Sequence, residues 1–283
     1  MSKMPGKIYL VATPIGNLSD ITFRAIETLK EVDFIAAEDT RQTLKLLNHF
    51  NIKKPLLSYH EHNKKESGEK IINEVLEGKS AAVVTDAGTP GVSDSGSDLV
   101  KLCIQNGIEV YSIPGAAAFL YALIVSGIDT SKFVFEGFLP KKAGERKLRY
   151  EKLKDEDRTI IFYESPHRIK KTLDEFVEVF GDRPCAICRE LTKIHEEVLR
   201  VTLKEAVEIY KEREPKGEFV IVLCGKSKEE MVKEKQESFE ELTIEEHIKK
   251  YMKEGLTKKE AVKKVSEDRA IPKSEVYKYS IDI

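Results

Sequence analysis

Three short apolar runs in the first 115 residues are each followed by small and turn-forming residues. The runs are Ile8–Ala12, Ala81–Val84 and Ile108–Ile113. Short runs rich in β-branched residues predict buried strands. Between them, apolar residues recur with helical spacing, most clearly over 20–29 and 64–77. Alternating strands and helices predict a parallel sheet, so the carboxyl ends of the three strands are expected at one edge.

Further elements complete this alternating pattern. Strands are predicted over 32–37 and 56–59, and helices over 43–50 and 95–106. The amphipathic helix over 64–77 ends before Gly78, a residue type that commonly caps helix C-termini. Residues 1–115 are therefore predicted to form a doubly wound α/β domain.

The region 116–225 is expected to form a second α/β domain. Its predicted strands lie at 131–138, 159–163, 184–190 and 218–224, and a helix is predicted over 169–180. This mix of strands indicates a sheet with some antiparallel pairing.

The composition changes after Gly225 to lysine and glutamate with few aliphatic residues, so residues 226–240 are predicted to be a solvated linker. Capping boxes begin at Thr243 and Thr257, and a third short helix is predicted after Pro272. Three short helices joined by tight turns resemble a helix-turn-helix module. A plain helical appendage fits equally well, because no basic recognition face is visible. Residues 226–283 thus form a third segment of linker and helices.

Charge and cysteine content narrow the class of protein. The 283 residues include 47 lysines and arginines against 49 aspartates and glutamates, for a formal net charge of −2. Any nucleic-acid surface must therefore be a local basic patch. No signal peptide is expected, and the longest apolar run, Ala116–Val125, is too short to span a bilayer. Four cysteines do not make a disulfide framework in a chain of this size, so a cytoplasmic protein with no membrane partner is expected.

Motifs for other cofactors and for metals are missing. No GxGxxG sequence follows a predicted strand, and no complete P-loop sequence is present. His60 and His62 lie two residues apart with no third ligand nearby, so no metal is expected. Cys185 and Cys188 have the CxxC spacing without a second pair, and we predict that they are buried in a strand.

The loops after the three strands carry the candidate chemistry. Gly88 and Gly91 let backbone approach a ligand closely, and Asp86 and Asp94 can accept hydrogen bonds from hydroxyl or amino groups. Because the three loops are expected at one sheet edge, they predict a ligand crevice there. The loops are Thr13-Pro14-Ile15-Gly16-Asn17-Leu18, Thr85-Asp86-Ala87-Gly88-Thr89-Pro90-Gly91 and Pro114-Gly115-Ala116-Ala117-Ala118.

These loops resemble the three S-adenosylmethionine loops of the tetrapyrrole methylase superfamily, and the resemblance extends over residues 7–225. It implies two α/β domains of the tetrapyrrole methylase type, S-adenosylmethionine as cofactor, 2′-O-methylation of a cytidine in 16S ribosomal RNA, and a homodimer. Four motifs resemble the ribosomal RNA branch in particular: Ala37-Glu38-Asp39-Thr40-Arg41, Tyr59-His60-Glu61-His62-Asn63, Tyr163-Glu164-Ser165-Pro166-His167-Arg168 and Arg189-Glu190-Leu191-Thr192-Lys193.

The superfamily binds its cofactor between its two domains, which implies a specific set of positions here. Thr13-Pro14 replaces the glycine-rich, acid-ended loop of the porphyrin-precursor methylases, which moves the expected substrate away from tetrapyrroles. The implied cofactor-binding residues are Thr13, Pro14, Gly16, Asp86, Gly88, Thr89, Pro114, Gly115, Ala116, Ala117, Phe138, Leu191, Glu218 and Phe219.

A ribose 2′-hydroxyl has a high pKa, so a general base is expected beside it. Candidates at predicted strand ends are Asp39, His60, His62, Glu164, His167 and Glu190. Of these, Asp39 and His60 are preferred for proton handling, with Arg41 and Glu190 completing the catalytic set. Arginine and lysine pair well with phosphate. The RNA contacts are therefore expected from Arg41, Lys141, Lys142, Arg146, Arg168, Arg189 and Lys193.

Two other functions stay open at this point. The first is a small-molecule methylase acting on a tetrapyrrole precursor, although the basic run over 141–149 has no purpose in such an enzyme. The second is a non-catalytic nucleic-acid-binding protein that works through its C-terminal helices. The preferred partner is 16S ribosomal RNA or the small ribosomal subunit.

Overall fold

The computed structural model describes residues 4–94, 96–227, 229–231, 242–281 and 283. The N-terminal part of the chain forms the first of two sheets. Its strands are β1 Lys7–Val11, β2 Phe34–Ala37, β3 Leu56–Ser58, β4 Ala81–Val84 and β5 Glu109–Ile113. They are all parallel, in the order β3-β2-β4-β1-β5. The five predicted strands and their parallel pairing are confirmed.

Helices cover both faces of this sheet. They are α1 Phe23–Glu31, α2 Thr40–His49, α3 Lys64–Leu76 and α4 Gly96–Gln105. One apolar cluster lies between the sheet and α3 and α4, and a second lies between the sheet and α1 and α2. The chain leaves β1 in one direction and β4 in the other, so the crevice of this doubly wound sheet lies between these two strands.

Two helices begin at other residues than expected, and capping explains both. Asn17 caps a short 3₁₀ turn at Leu18–Asp20, and the Thr22 hydroxyl accepts from the Ala25 N–H, so α1 begins later than residue 20. The Asp39 carboxylate caps α2, which therefore begins at Thr40, three residues earlier than predicted.

The second sheet is mixed, as predicted. Its strands are β6 Phe133–Phe138, β7 Thr159–Glu164, β8 Pro184–Arg189, β9 Glu197–Thr202 and β10 Phe219–Leu223. The order is β6-β7-β10-β8-β9, and β6 with β7 is the parallel pair. The other pairings are antiparallel. Strand β9 was not predicted, because it is a half-buried edge strand with charged residues in its sequence.

Helices pack on both faces of the second sheet as well. They are α5 Ala118–Ser126, α6 Ala143–Leu153, α7 Ile169–Phe180 and α8 Leu203–Glu212. Helix α5 packs on one face, and α6, α7 and α8 pack on the other around an aromatic core. The sequence pattern did not predict α6 or α8, because both are rich in lysine and glutamate. The two predicted domains each contain one of the two sheets.

Cys185 and Cys188 lie on opposite faces of β8, in the two apolar clusters that the sheet separates. Burial raises the pKa of each thiol to about 12, which leaves both thiols protonated and inert. The predicted buried position of the CxxC pair is confirmed.

The C-terminal helices form a small cluster of their own. They are α9 Ile244–Lys253, α10 Lys258–Arg269 and α11 Lys273–Lys278. Both predicted capping boxes are present, and the core contains Ile248, Val262, Val265 and Val276. Of the predicted linker, residues 228 and 232–240 lie outside the described residues. The first residue of the predicted linker, Lys226, forms a 2.6 Å ion pair with Asp155, which follows α6 in the second domain. The linker therefore begins after Lys226.

No helix in the described parts of the chain combines the length and the apolar character that crossing a bilayer requires.

The aromatic core beneath α7 generates a stability prediction. The Phe176 ring is fully buried, 4.7 Å from the Phe162 ring and 5.3 Å from the Phe180 ring between centroids. Phe176→Ala is expected to lower the free energy of unfolding by about 3–5 kcal/mol, because the cavity cannot collapse fully. Urea denaturation followed by circular dichroism measures this. The matched control is Phe23→Ala on the 88% exposed Phe23, which should change the value by less than about 0.5 kcal/mol. Equal losses in the two variants would contradict the described core.

Candidate active site

A cleft of about 490 Å³ lies between the carboxyl edge of the first sheet and the second sheet. Its size is in the range of small-molecule sites, about 300–1,000 Å³. The first wall consists of residues that follow β2, β4 and β5. The second wall consists of the ends of β6, β7 and β8 and the start of β10. Lining residues include Glu38, Asp86, Gly88, Thr89, Asp94, Ala117, Phe119, Phe138, Tyr163, Glu164, Leu191, Glu218 and Phe219.

Hydrogen bonds join the three strand-end loops of the first wall. The Thr13 N–H donates to the Gly88 carbonyl at 2.9 Å, and the Gly88 N–H donates to the Thr13 carbonyl at 3.1 Å. The Thr89 hydroxyl donates to the Ala116 carbonyl at 2.9 Å. The loops after β1, β4 and β5 therefore form one rigid surface at the crevice between β1 and β4.

Two glycines allow the two walls to approach each other. A Cβ on Gly16 would lie 2.4 Å from the Lys193 Cγ, and one on Gly137 would lie 2.8 Å from the Ser93 Oγ. Gly137 also has a φ of +63°, which an L side chain rarely adopts. These positions need glycine because the backbone of one region packs directly against the other.

Left-handed backbone conformations occur around the cleft. Ser93, Glu190 and Thr192 have φ values of +65°, +51° and +64° without being glycines. Such conformations are strained and persist where the surrounding structure holds them, commonly at functional sites. They lie in the two loops that face each other across the site.

Acidic residues dominate the cleft wall, and two of its carboxylates have a cation beside them: Glu218 pairs with Lys193 at 3.1 Å, and Glu164 lies 3.6 Å from the Arg168 Nε. Five carboxylate residues line the cleft, and the described lining contains no lysine or arginine. A cleft of this charge favours a cationic ligand and disfavours phosphates or polycarboxylates. S-adenosylmethionine carries a sulfonium and an ammonium group, so its charge fits the wall, and the small-residue loops leave room for its adenosine.

Backbone N–H groups hold two of these carboxylates in place. The Asp86 Oδ1 accepts from the Asp39 N–H at 3.0 Å. The Asp94 carboxylate accepts from the Gly91 N–H at 2.8 Å and from the Gly96 N–H at 2.6 Å. These charge-assisted bonds fix the positions of both carboxylates at the cleft wall.

Glu38 lines the cleft but was not among the predicted site residues. It follows β2 directly and is half-buried. Burial raises the pKa of its carboxyl above the ordinary glutamate value, and the negative charge of Asp86 raises it further. The signal was its place at the end of a buried strand, on the expected ligand edge.

Asp39 is held in a different way. Its carboxylate accepts from the Arg41 side chain at 3.1 and 2.7 Å and from the Arg41 N–H at 2.8 Å. These bonds lower the pKa of Asp39 to about 2. A carboxylate with so low a pKa is a weak base, so this geometry disfavours Asp39 for proton handling.

Two other carboxylates from the candidate list also have partners. Glu164 is buried, accepting from the Thr172 hydroxyl at 2.6 Å and the Ser165 N–H at 2.8 Å. Glu190 accepts from the Lys193 ammonium at 2.8 Å, which contributes to a lowered pKa. Both are tied to structural contacts.

Among the RNA candidates, the structure corrects Arg146. Its guanidinium is buried, forms a bidentate ion pair with Glu175 at 2.7 Å and also donates to the Pro140 and Lys141 carbonyls. It therefore has a structural role and is not available to phosphate. By contrast, Lys141 and Lys142 are exposed, and the Arg41 side chain is 87% exposed.

The other basic candidates are partly engaged. Arg189 pairs with Glu197 at 3.2 Å, and Lys193 pairs with both Glu190 and Glu218. Arg168 donates from Nη1 to the Leu139 carbonyl at 3.1 Å, while its buried Nη2 has no hydrogen-bond partner in the described parts of the chain.

The expected cofactor-binding residues divide into two groups. Those on the cleft wall are Asp86, Gly88, Thr89, Ala117, Phe138, Leu191, Glu218 and Phe219. The others shape the loops behind the wall: Thr13, Pro14, Gly16, Pro114, Gly115 and Ala116. Within the described residues, no cluster of histidine, cysteine, aspartate and glutamate is arranged to hold a metal ion.

Comparisons with known proteins agree with this geometry. Ribosomal RNA small subunit methyltransferase I of Bacillus subtilis is 52% identical over 272 residues, which cover 96% of this chain and 93% of the relative. The enzyme of the same name from Thermotoga maritima is 50% identical over 221 residues, which cover 78% of this chain and 99% of that relative.

A solved structure shares the fold. It is a uroporphyrin-III C-methyl transferase from Thermus thermophilus in complex with S-adenosyl homocysteine, with a TM-score of 0.56 and 19% identity over 77% of this chain and 97% of that chain. The family model described as Tetrapyrrole (Corrin/Porphyrin) Methylases matches residues 7–207. With this match over most of its length, the chain belongs to the tetrapyrrole (corrin/porphyrin) methylase family.

Proposed function

We propose that this chain transfers the methyl group of S-adenosylmethionine to the ribose 2′-hydroxyl of a cytidine in 16S ribosomal RNA. The observation that carries the proposal is the acidic cleft between the two sheets, which suits a cationic methyl donor. The relatives named as ribosomal RNA small subunit methyltransferase I support an RNA acceptor.

The residues of the cleft bind and orient the reactants. Asp86 and the loops after β1, β4 and β5 hold the cofactor, whose sulfonium makes its methyl group electrophilic. Phe138 and Leu191 supply apolar contacts from the second wall and help to exclude water. Fixing the acceptor oxygen in line with the methyl carbon removes much of the entropic barrier to transfer.

The acceptor RNA binds at the rim of the cleft. Phosphates are repelled by the carboxylates inside. Outside the cleft, Lys141 is exposed, and Arg41 and Lys142 are exposed cations in surface ion pairs with Asp39 and Glu145 that a phosphate can replace. Phosphate contacts position a nucleic acid without reading its sequence. A ribose can therefore enter the cleft while the adjoining phosphates stay outside.

The tetrapyrrole alternative is weakened by the same charge. Uroporphyrin-type precursors carry several carboxylates, and a wall of five acidic residues repels them. The likeness to the uroporphyrin enzyme extends to the fold alone, since the identity is 19%.

The C-terminal helices are not needed for the proposed reaction. The family match ends at residue 207, and the Thermotoga relative is matched along nearly its whole length by 78% of this chain. Whether α9 to α11 act as a helix-turn-helix module or as a plain appendage is a separate property of this chain.

A homodimer in the cytoplasm, where the small ribosomal subunit is found, is part of the proposal. Helix α5 is apolar around its circumference, yet Leu120 and Ile124 are 45% and 66% exposed. Ile194, 97% exposed, lies in the loop joined to α5 by the hydrogen bond from the Tyr121 hydroxyl to Glu196. An apolar face of this kind favours a protein partner. Light scattering tests the homodimer, because the mass measured in solution should be twice that of one chain.

The function is tested by methyl transfer from labelled S-adenosylmethionine to purified small ribosomal subunits that lack this modification. Label should appear in 2′-O-methylcytidine after digestion and mass spectrometry. A chain without residues 227–283 should retain the activity, which would exclude the non-catalytic binding protein. Label in a free tetrapyrrole precursor and none in RNA would favour the small-molecule methylase instead.

The charge of Asp86 generates a prediction for cofactor affinity. Asp86→Asn keeps the oxygen that accepts from the Asp39 N–H but removes the negative charge. The affinity for S-adenosylmethionine should fall by about ten- to hundredfold, the effect of losing a charged hydrogen bond. Titration calorimetry measures it. The control is Asp33→Asn at the opposite sheet edge, where the Asp33 side chain accepts from the Ser80 N–H. Equal affinities in the two variants would contradict the proposed role of Asp86.

The basic residues around α6 generate two opposite expectations. Replacing both Lys141 and Lys142 with alanine should weaken subunit binding and reduce its salt dependence by about one unit of slope per lysine. Arg146→Ala should instead lower the free energy of unfolding by about 3 kcal/mol, because Glu175 loses its bidentate partner and keeps only the Tyr150 hydroxyl and a 3.8 Å contact with Lys171 among the described residues. Binding at several salt concentrations and urea denaturation distinguish them. The corrected role of Arg146 would be refuted by a weakened RNA contact with unchanged stability.

A further inference from the structure

Glu38 differs from the other carboxylates of the cleft in what holds it, a hydrogen bond from the Asp86 backbone. In the described parts of the chain it forms no ion pair with lysine or arginine and caps no helix. The side chains of Asp86, Asp94 and Glu164 are bonded to backbone or hydroxyl donors. Glu218 pairs with Lys193 at 3.1 Å. Glu38 is thus a half-buried carboxylate on the cleft wall that forms no ion pair within the described residues and can act on a ligand.

The titratable groups that act electrostatically on Glu38 follow two strands. Asp86 and Asp94 follow β4, and His60 follows β3. The His60 Nδ1 is buried and has no hydrogen-bond partner within the described residues. Its backbone N–H is fixed by a 2.8 Å bond to the Asn63 side chain.

We propose that Glu38 accepts the proton of the ribose hydroxyl during methyl transfer, an inference that rests on the proposed function. The hydroxyl oxygen forms a bond to the methyl carbon while its O–H bond breaks, and the proton moves to the Glu38 carboxylate. The carbon–sulfur bond breaks at the same time, and its electron pair remains on sulfur. One positive charge on sulfur and one negative charge on the Glu38 carboxylate disappear together.

The surroundings make Glu38 a stronger base than an ordinary glutamate. Burial is the main cause that raises its pKa, and the charges of Asp86 and Asp94 add to it. A hydrogen bond from the Asp86 backbone and the nearby His60 act in the opposite direction. A base with a pKa nearer neutrality transfers protons more effectively at physiological pH. The rate should therefore rise with pH as Glu38 loses its proton, and then level off.

Glu38→Gln tests the inference, because glutamine keeps the shape and cannot accept the proton. Single-turnover methylation of small subunits should slow by about 10²–10⁴-fold, the usual contribution of a general base. The affinity for S-adenosylmethionine, measured by calorimetry, should stay within about threefold of the wild-type value. The melting temperature should equal that of the control variant. The control is Glu31→Gln, which removes an exposed glutamate at the end of α1.

Two further measurements do not depend on turnover by the variant alone. Carbon-13 NMR of the protein with labelled glutamate should show one carboxyl resonance whose titration midpoint lies at higher pH than those of the other glutamates. This resonance should be absent from Glu38→Gln. Glu38→Asp, which keeps a carboxylate but shortens its reach, should bind the cofactor normally and recover part of the rate. If Glu38→Gln fails to fold, the rate of the Glu38→Asp variant tests the role of Glu38 instead.

The outcomes separate the inference from the function beneath it. A wild-type chain that methylates no RNA would overturn the proposed function and this inference with it. A wild-type chain that methylates RNA, with Glu38→Gln as fast as Glu31→Gln, would overturn the inference alone. Loss of cofactor affinity in Glu38→Gln would also overturn it, because Glu38 would then be a cofactor-binding group.

Discussion

Placing five carboxylate residues on one cleft wall, with no lysine or arginine in the described lining, is the constraint on which the site depends. Such a wall is stable only when N–H and hydroxyl donors compensate the charges. The chain supplies them from strand ends and helix starts, as in the bonds of Asp86 and Asp94. One carboxylate, Glu38, receives less compensation than its neighbours, and its pKa is raised as a result. The same arrangement that selects a cation therefore also produces a base.

The second requirement is that two separately folded sheets meet at close range. Parallel strands place the loops after β1, β4 and β5 at one edge, and the paired N–H and carbonyl groups of Thr13 and Gly88 join them. Gly16 and Gly137 then let the two regions touch without side chains between them. Strained backbone at Ser93, Glu190 and Thr192 faces the same space. Rigid loops on both sides give the reactants fixed positions, on which in-line methyl transfer depends.

Charged side chains along the rim illustrate why spacing alone is a poor guide to function. The basic run after β6 contains both Lys142, which is exposed, and Arg146, which is buried against Glu175. Lys142 is the N-cap residue of α6 and Arg146 lies in its first turns, and the sequence offers no way to distinguish them. Because α6 is rich in charged residues, its buried stripe is narrow, and the position of Glu175 on α7 decides which arginine is enclosed.

The sequence by itself determined the strands, the parallel first sheet, the mixed second sheet and the three loops, because short apolar runs and their turn residues are local signals. Motif resemblance added the family and the cofactor. Local patterns did not reveal β9, α6 or α8, whose apolar positions are few and interrupted by charge. Only the tertiary structure decided which carboxylate is free. Asp39 and Glu38 are neighbours in sequence, yet one is locked by Arg41 and the other faces the cleft. That difference arises because successive residues leave a strand on opposite sides, and their surroundings come from distant parts of the chain.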